Sequence, residues 1–287
     1  MKPLYSQRTV LGWALYDWAN SAFSLVVVTA FVPVMLAGYW SDGVDSTVTT
    51  FRLGWANALA SLLVALLVPL IGAVADGAAT RKKFLAVFAG LGIAMTTALY
   101  FVAQGEWVFA LILFVLAYIG FAVSNSLYDS LMSAVAEENA FDRVSAYGYA
   151  LGYLGGALLF TANVLMVSFP EDIGLASREV AIRWSFVSVA AWWALFSLPL
   201  LYWVREPAVV GSGSQPLREG FRRLRATALE VRRQRALLIF LCAYWLYIDG
   251  VYTVIKMAVD YGLSQGLSMS DLISAVLVTN YVGFPAA

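Results

Sequence analysis

The chain has 287 residues, of which 61% are hydrophobic and 13% charged, with a mean hydropathy of +0.77. Soluble domains carry roughly 45–50% apolar and about 25% charged residues, so this composition excludes an ordinary globular protein. The 18 basic residues balance the 18 acidic ones, which gives no footing for a nucleic-acid partner and shifts attention to where the charges stand.

There is one cysteine, Cys242, inside an apolar run, and there is no histidine. A disulfide framework and a cysteine-based metal site are therefore excluded, and the commonest metal ligand and general base are missing. No metal and no cofactor are expected, and any proton coupling must use carboxylates.

Crossing about 30 Å of hydrocarbon takes about 20 apolar residues in a helix. Lys2 and Arg8 precede a run too long for a signal-peptide core, so that run is the first membrane helix. Complete runs follow at 11 to 36, 53 to 74, 84 to 103, 107 to 128, 145 to 167, 183 to 204 and 236 to 259. A further run starts near Asp271 and reads LISAVLVTNYVGFPAA without reaching a polar cap, which suggests a chain cut within its eighth span.

Arg81, Lys82 and Lys83 separate the second and third runs, and the connection from 205 to 235 carries Arg205, Arg218, Arg222, Arg223, Arg225, Arg232, Arg233 and Arg235. The loops 37 to 52, 104 to 106 and 260 to 270 hold one basic residue, Arg52. The positive-inside rule then places the N-terminus, the 81 to 83 loop and the long connection in the cytoplasm. The expected organisation is a six-helix bundle over 1–204, a basic cytoplasmic linker over 205–235 and the start of a second bundle over 236–287. Within the linker, Leu217, Phe221, Leu224 and Ala228 recur at helical spacing between arginines. That pattern predicts an amphipathic helix on the inner leaflet, with lipid as partner, although basic residues that merely enforce topology would look the same.

An ionisable group inside a span costs at least about 2.5–3.5 kcal/mol at the membrane centre, so each needs a partner, a cavity or a route to the interface. Asp249 lies near the middle of the seventh run beside Gly250, with Tyr244, Tyr247 and Tyr252 close in sequence. A substrate or proton site and a structural hydrogen-bonded role both fit it. Asp17 heads a polar stripe with Asn20, Ser21 and Ser24 in the first run, and either a cavity lining or a hydrogen bond to a neighbouring helix would explain it. Lys256 falls two turns beyond Asp249, about 10 Å along the axis, too far for a tight ion pair, and snorkelling to the near interface is the simpler reading. Asn125 and Asp129 share a face at the end of the fourth run, and Asn57 and Asn163 suit hydrogen bonds between helices. In the fifth run Gly148, Gly152 and Gly156 recur every fourth residue with Gly155 beside them, a face that admits close helix packing, static or sliding. Gly72, Asp76 and the Arg81, Lys82 and Lys83 cluster surround the turn after the second run. A small residue there would allow close approach, and the cations would anchor the turn.

Trp13 to Asp17 (WALYD) and Trp245 to Asp249 (WLYID) occupy equivalent places in the first helix of each group, as parallel six-helix repeats would require. The GAVADGAATRKK segment resembles the loop between the second and third helices of the major facilitator superfamily, with Gly77 in place of the first basic residue and the basic cluster about two positions late. LYDWANSAF, YGYALGYLGG and YIDGVYTVI resemble the vacuole-effluxer-like branch, whose fungal members export amino acids. The resemblance spans residues 10 to 287. It implies an all-α polytopic fold of two six-helix bundles, the second cut short here. It also implies a small-molecule substrate bound near midplane between them and alternating access by rocking. Asp76 and Arg81 to Lys83 would match the gating loop, and Asp17, Asn20 and Asp249 would line the cavity. The expected protein is a multi-pass transporter of a bacterial cytoplasmic membrane for a small polar metabolite, amino acids foremost, with protons as a candidate coupling ion. A non-transporting scaffold or sensor is the alternative, and the absence of any nucleophile–base or metal set speaks against an enzyme.

Overall fold

The computed structural model describes residues 6–78, 80–206 and 216–287, with the side chains of 76–78, 216–221, 223 and 224 outside that description. The described residues form helices and turns without strands. We number the helices α1 (Gln7–Trp40), α2 (Ser46–Ala78), α3 (Arg81–Ala98), α4 (Trp107–Ser130), α5 (Phe141–Ser168), α6 (Arg178–Trp203), α7 (Pro216–Arg233), α8 (Arg235–Ser264) and α9 (Met269–Ala286). Seven of them, all but α7 and α9, are long and apolar enough to cross a membrane. In hydrocarbon the backbone must satisfy its own hydrogen bonds, which is why runs of this composition become helices.

α1 is the central helix. Its N-terminus is capped by Ser6, whose hydroxyl accepts from the Thr9 N–H, and from Phe23 to Phe31 and again from Leu36 to Trp40 the coil widens to five-residue hydrogen bonds, as in Val32 N–H to Val27 O. Trp13, Phe23, Phe31 and Trp40 on this helix are buried. α5 and α6 pack along its sides, α3 packs on α4 and α6, and α2 packs on α4. Phe23 and Phe121 both rest on Trp193 of α6, with ring centroids 5.4 and 6.2 Å away. α8 then lies on the widened part of α1 and on α2, and α9 lies on α5.

Because lipid tails are as apolar as leucine, such helices are held by close packing and short polar contacts. A Cβ on Gly120 of α4 would fall 2.5 Å from the Gly92 backbone nitrogen and 2.6 Å from the Phe88 carbonyl oxygen of α3, so those two backbones meet with nothing between them.

Several helices outrun the apolar stretches that announced them. α1 continues to Trp40, α2 starts at Ser46, and α8 runs through Asp260 to Ser264, residues the sequence placed in loops. The reason is polar pairing at the helix ends. Arg52, now inside α2, donates to Ser41 Oγ at 2.9 Å and stacks 3.8 Å over the Trp107 ring, so a charged residue completes a helix that hydropathy alone would end. The linker helix is present as α7, but it packs against α2. The side chains of Leu217, Phe221 and Leu224 lie outside the described residues.

Candidate functional site

The polar residues of α1 and α4 converge in the half of the bundle nearest Arg81. Asn20 Nδ2 donates to Asn125 Oδ1 at 2.7 Å, which ties α1 to α4 inside the apolar interior. One turn closer to that end, Asp17 and Asp129 are near enough to feel each other's charge. Ser21 donates weakly to Asp17 at 3.5 Å. Trp13 stacks on Tyr128 with centroids 4.3 Å apart, and its indole N–H donates to the Tyr128 carbonyl at 3.2 Å, which fixes the register of the two helices. The sequence supplied each polar pair by helical spacing; that the two pairs face one another is a property of the fold.

The glycine face of α5 is what lets α1 come this close. A Cβ on Gly152 would stand 2.7 Å from Ser21 Oγ and 3.1 Å from the Asp17 carboxyl, one on Gly148 would meet Trp13, and Gly156 lies over the Ser21 backbone. Gly152 therefore leaves Asp17 the space its carboxylate occupies. Tyr149, on the same helix, lies in the neighbourhood of Asp129, Asp17 and Tyr252 of α8. Tyr149 and Tyr153 also border an open cleft of about 480 Å³ between α5 and the Gly283 end of α9.

On α8, Asp249 is exposed, while Lys256 is 7% exposed. The snorkelling expected of Lys256 does not occur. Its ammonium donates to Ser61 Oγ of α2 at 3.1 Å and sits 4.3 Å over the Tyr118 ring of α4, because aromatic faces and a hydroxyl offer a cation more than the apolar path outwards. Two neighbouring contacts complete an α2–α8 seam. Asn57 Nδ2 lies 3.7 Å from Met257 Sδ, and Thr50 Oγ1 donates to the buried Asp260 at 2.7 Å. Asp260 was missed as a loop residue. Its place one turn after Lys256, on the same face, was the available signal.

At the turn between α2 and α3, an Arg81 guanidinium nitrogen donates to the Ser130 carbonyl at 3.0 Å, and Lys82 Nζ donates to the Val204 carbonyl at 2.6 Å. Two cations thus cap the C-terminal ends of α4 and α6, where the helix dipole favours positive charge. The Lys82 backbone N–H donates to Glu206 at 2.8 Å. Lys83 is in the first turn of α3 and contributes to neither cap. The expected role of Gly72 in close approach is not what the structure has, since among the described residues nothing lies within 4 Å of where its Cβ would be. The Asp76 side chain lies outside the described residues. Asn163 accepts from Ser188 at 2.9 Å between α5 and α6. Cys242 is exposed.

The architecture is that of the major facilitator fold, a six-helix bundle with two helices of a following group. The superposable structures agree. A partially occluded inward-open xylose transporter XylE from E. coli matches with a TM-score of 0.58 over 96% of this chain and 69% of that one at 15% identity. A D-xylose-proton symporter gives 0.55 at 14% identity. The chain belongs to the family described as vacuole effluxer Atg22 like, which it matches over residues 5–141 and 132–284. It is 36% identical over 276 residues to the uncharacterised MFS-type transporter YxiO of Bacillus subtilis, covering 95% of this chain and 64% of that protein. It is 23% identical to autophagy-related protein 22 of Eremothecium gossypii, over 93% of this chain and 61% of the relative. The chain thus spans somewhat under two thirds of the curated relatives it matches, and it is a multi-pass membrane protein.

Proposed function

We propose that this chain supplies the first bundle and part of the second of a secondary active transporter that moves a small polar metabolite, amino acids being the favoured class, by alternating access. The observation that carries this reading is the convergence of Asp17 and Asp129 from α1 and α4 beside the Asn20–Asn125 hydrogen bond. Carboxylates at membrane depth are expensive, and a water-filled substrate pathway is where they are tolerated. The family's description as effluxers and the transporter relatives favour transport over a scaffold. In this reading the Arg81 end, the N-terminus and α7 face the cytoplasm, the membrane is the bacterial cytoplasmic one, and protons are the coupling ion. The contacts of α8 and α2 through Lys256 and Asp260 belong to the opposite end, which corresponds to an inward-facing arrangement.

The test is counterflow and uptake of a labelled amino-acid mixture in proteoliposomes holding the complete gene product, native against Asp17→Asn and Asp129→Asn. Flux in the native protein that falls at least about tenfold in either variant, with insertion unchanged, supports the assignment. Native protein that is folded and inserted yet moves no amino acid would remove the substrate class.

A further inference from the structure

We infer that Lys256 is the anchor for the carboxylate of a zwitterionic substrate whose ammonium faces Asp249, with Tyr118 and Tyr252 as its walls. This rests on the transport reading above and adds to it a named group and a ligand chemistry.

Asp249, Tyr252 and Lys256 stand at i, i+3 and i+7 on α8, which puts all three on one face. Lys256 is nearly buried, and among the described residues no carboxylate lies within ion-pairing distance of it. Its contacts are Ser61 Oγ, the Tyr118 ring at 4.3 Å and the Tyr252 ring at 5.9 Å. The nearest acid along the helix, Asp260, is already engaged by Thr50 at 2.7 Å. An ammonium has three N–H donors, and Ser61 takes one. Asp249 is close enough to interact with Lys256 electrostatically but too far to pair. The seven-residue separation is about 10 Å along the axis. Two charge-assisted hydrogen bonds of about 2.8 Å with the body of a small zwitterion between them bridge charges separated by a distance of that order. A ligand with a carboxylate at one end and an ammonium at the other would satisfy both charges at once, whereas an uncharged polar solute would leave Lys256 with its single hydroxyl. Tyrosine faces flanking the gap suit a cationic head group as well.

The discriminating experiment compares neutral L-amino acids with the matching amino-acid amides, which keep the ammonium and lack the carboxylate. Each is scored as a competitor of labelled amino-acid counterflow and, independently of flux, by the thermal stabilisation it gives purified, monodisperse protein. In the native protein the amides should bind about tenfold to hundredfold more weakly than the acids, the range that one hydrogen bond to a charged group carries. In Lys256→Met, or in Lys256→Gln should the methionine variant fold poorly, that gap should close to within about twofold, and Lys256→Arg should retain most of it. A native-size gap in a folded Lys256→Met would overturn the anchor while leaving transport standing. A native protein that ignores acids and amides alike would overturn the amino-acid reading itself.

Discussion

Replacing Gly120 by alanine isolates how much of this fold rests on direct backbone contact. The new Cβ would stand 2.5 Å from the Gly92 nitrogen and 2.6 Å from the Phe88 carbonyl oxygen. Ordinary contact begins at 3.4 Å, so α3 and α4 must separate by about 1 Å, and both obstacles are backbone that cannot rotate away. Overpacking of this kind costs about 1–3 kcal/mol. Any glycine-to-alanine change within a helix also gains about 0.5–1 kcal/mol from the unfolded state, and a control removes that term. Gly90 of α3 is the control, since it is exposed and has nothing within 4 Å of its Cβ position. The difference in stability between Gly120→Ala and Gly90→Ala should therefore be about 1–3 kcal/mol, with Gly120→Ala the weaker. It can be read from unfolding in mixed micelles of rising dodecyl sulfate fraction, followed by tryptophan fluorescence. Equal stabilities, or a more stable Gly120→Ala, would refute the close approach of α3 and α4.

Further outcomes follow from the same geometry. A double-mutant cycle of Asn20→Ala and Asn125→Ala should show a coupling of about 1 kcal/mol in the same assay, the size of a hydrogen bond between membrane helices, and additive losses would separate the pair. Arg81→Ala should cost about 0.5–1 kcal/mol through the lost cap on α4, with Arg81→Lys recovering part of it because the charge stays near the helix end. Asp249→Asn should weaken counterflow and pH-gradient-driven flux alike, measured in proteoliposomes, because the substrate ammonium loses its partner; counterflow that survives while driven flux is lost would assign Asp249 to coupling instead of binding.

The fold was largely legible in the chain because a membrane helix announces itself by composition, and each apolar run has its helix, although the run 84 to 103 passes the end of α3 at Ala98. What hydropathy could not see were helix ends completed by polar pairing, such as Arg52 with Ser41 and Trp107, and Asp260 with Thr50. The candidate site was legible by halves. Helical spacing put Asn20 beside Asp17 and Asn125 beside Asp129, but which helix each pair faces depends on the α1–α4 and α1–α5 packing that Trp13 and the glycines of α5 determine. Lys256 was misjudged for a related reason. Its partners Ser61 and Tyr118 are 195 and 138 residues distant in the chain, so no local pattern reveals them.

The most direct test of the central claim is whether the region between the bundle and α8 opens alternately to the two sides of the membrane. A single cysteine at Tyr149, in a background of the complete gene product freed of every other cysteine, Cys242→Ser included, would be labelled with a membrane-impermeant maleimide from each side in turn, with and without an amino-acid mixture. The account predicts labelling from both sides and a shift of at least about twofold in their ratio when substrate is added. Labelling from one side alone, unchanged by any amino acid, would contradict it and favour a static membrane scaffold.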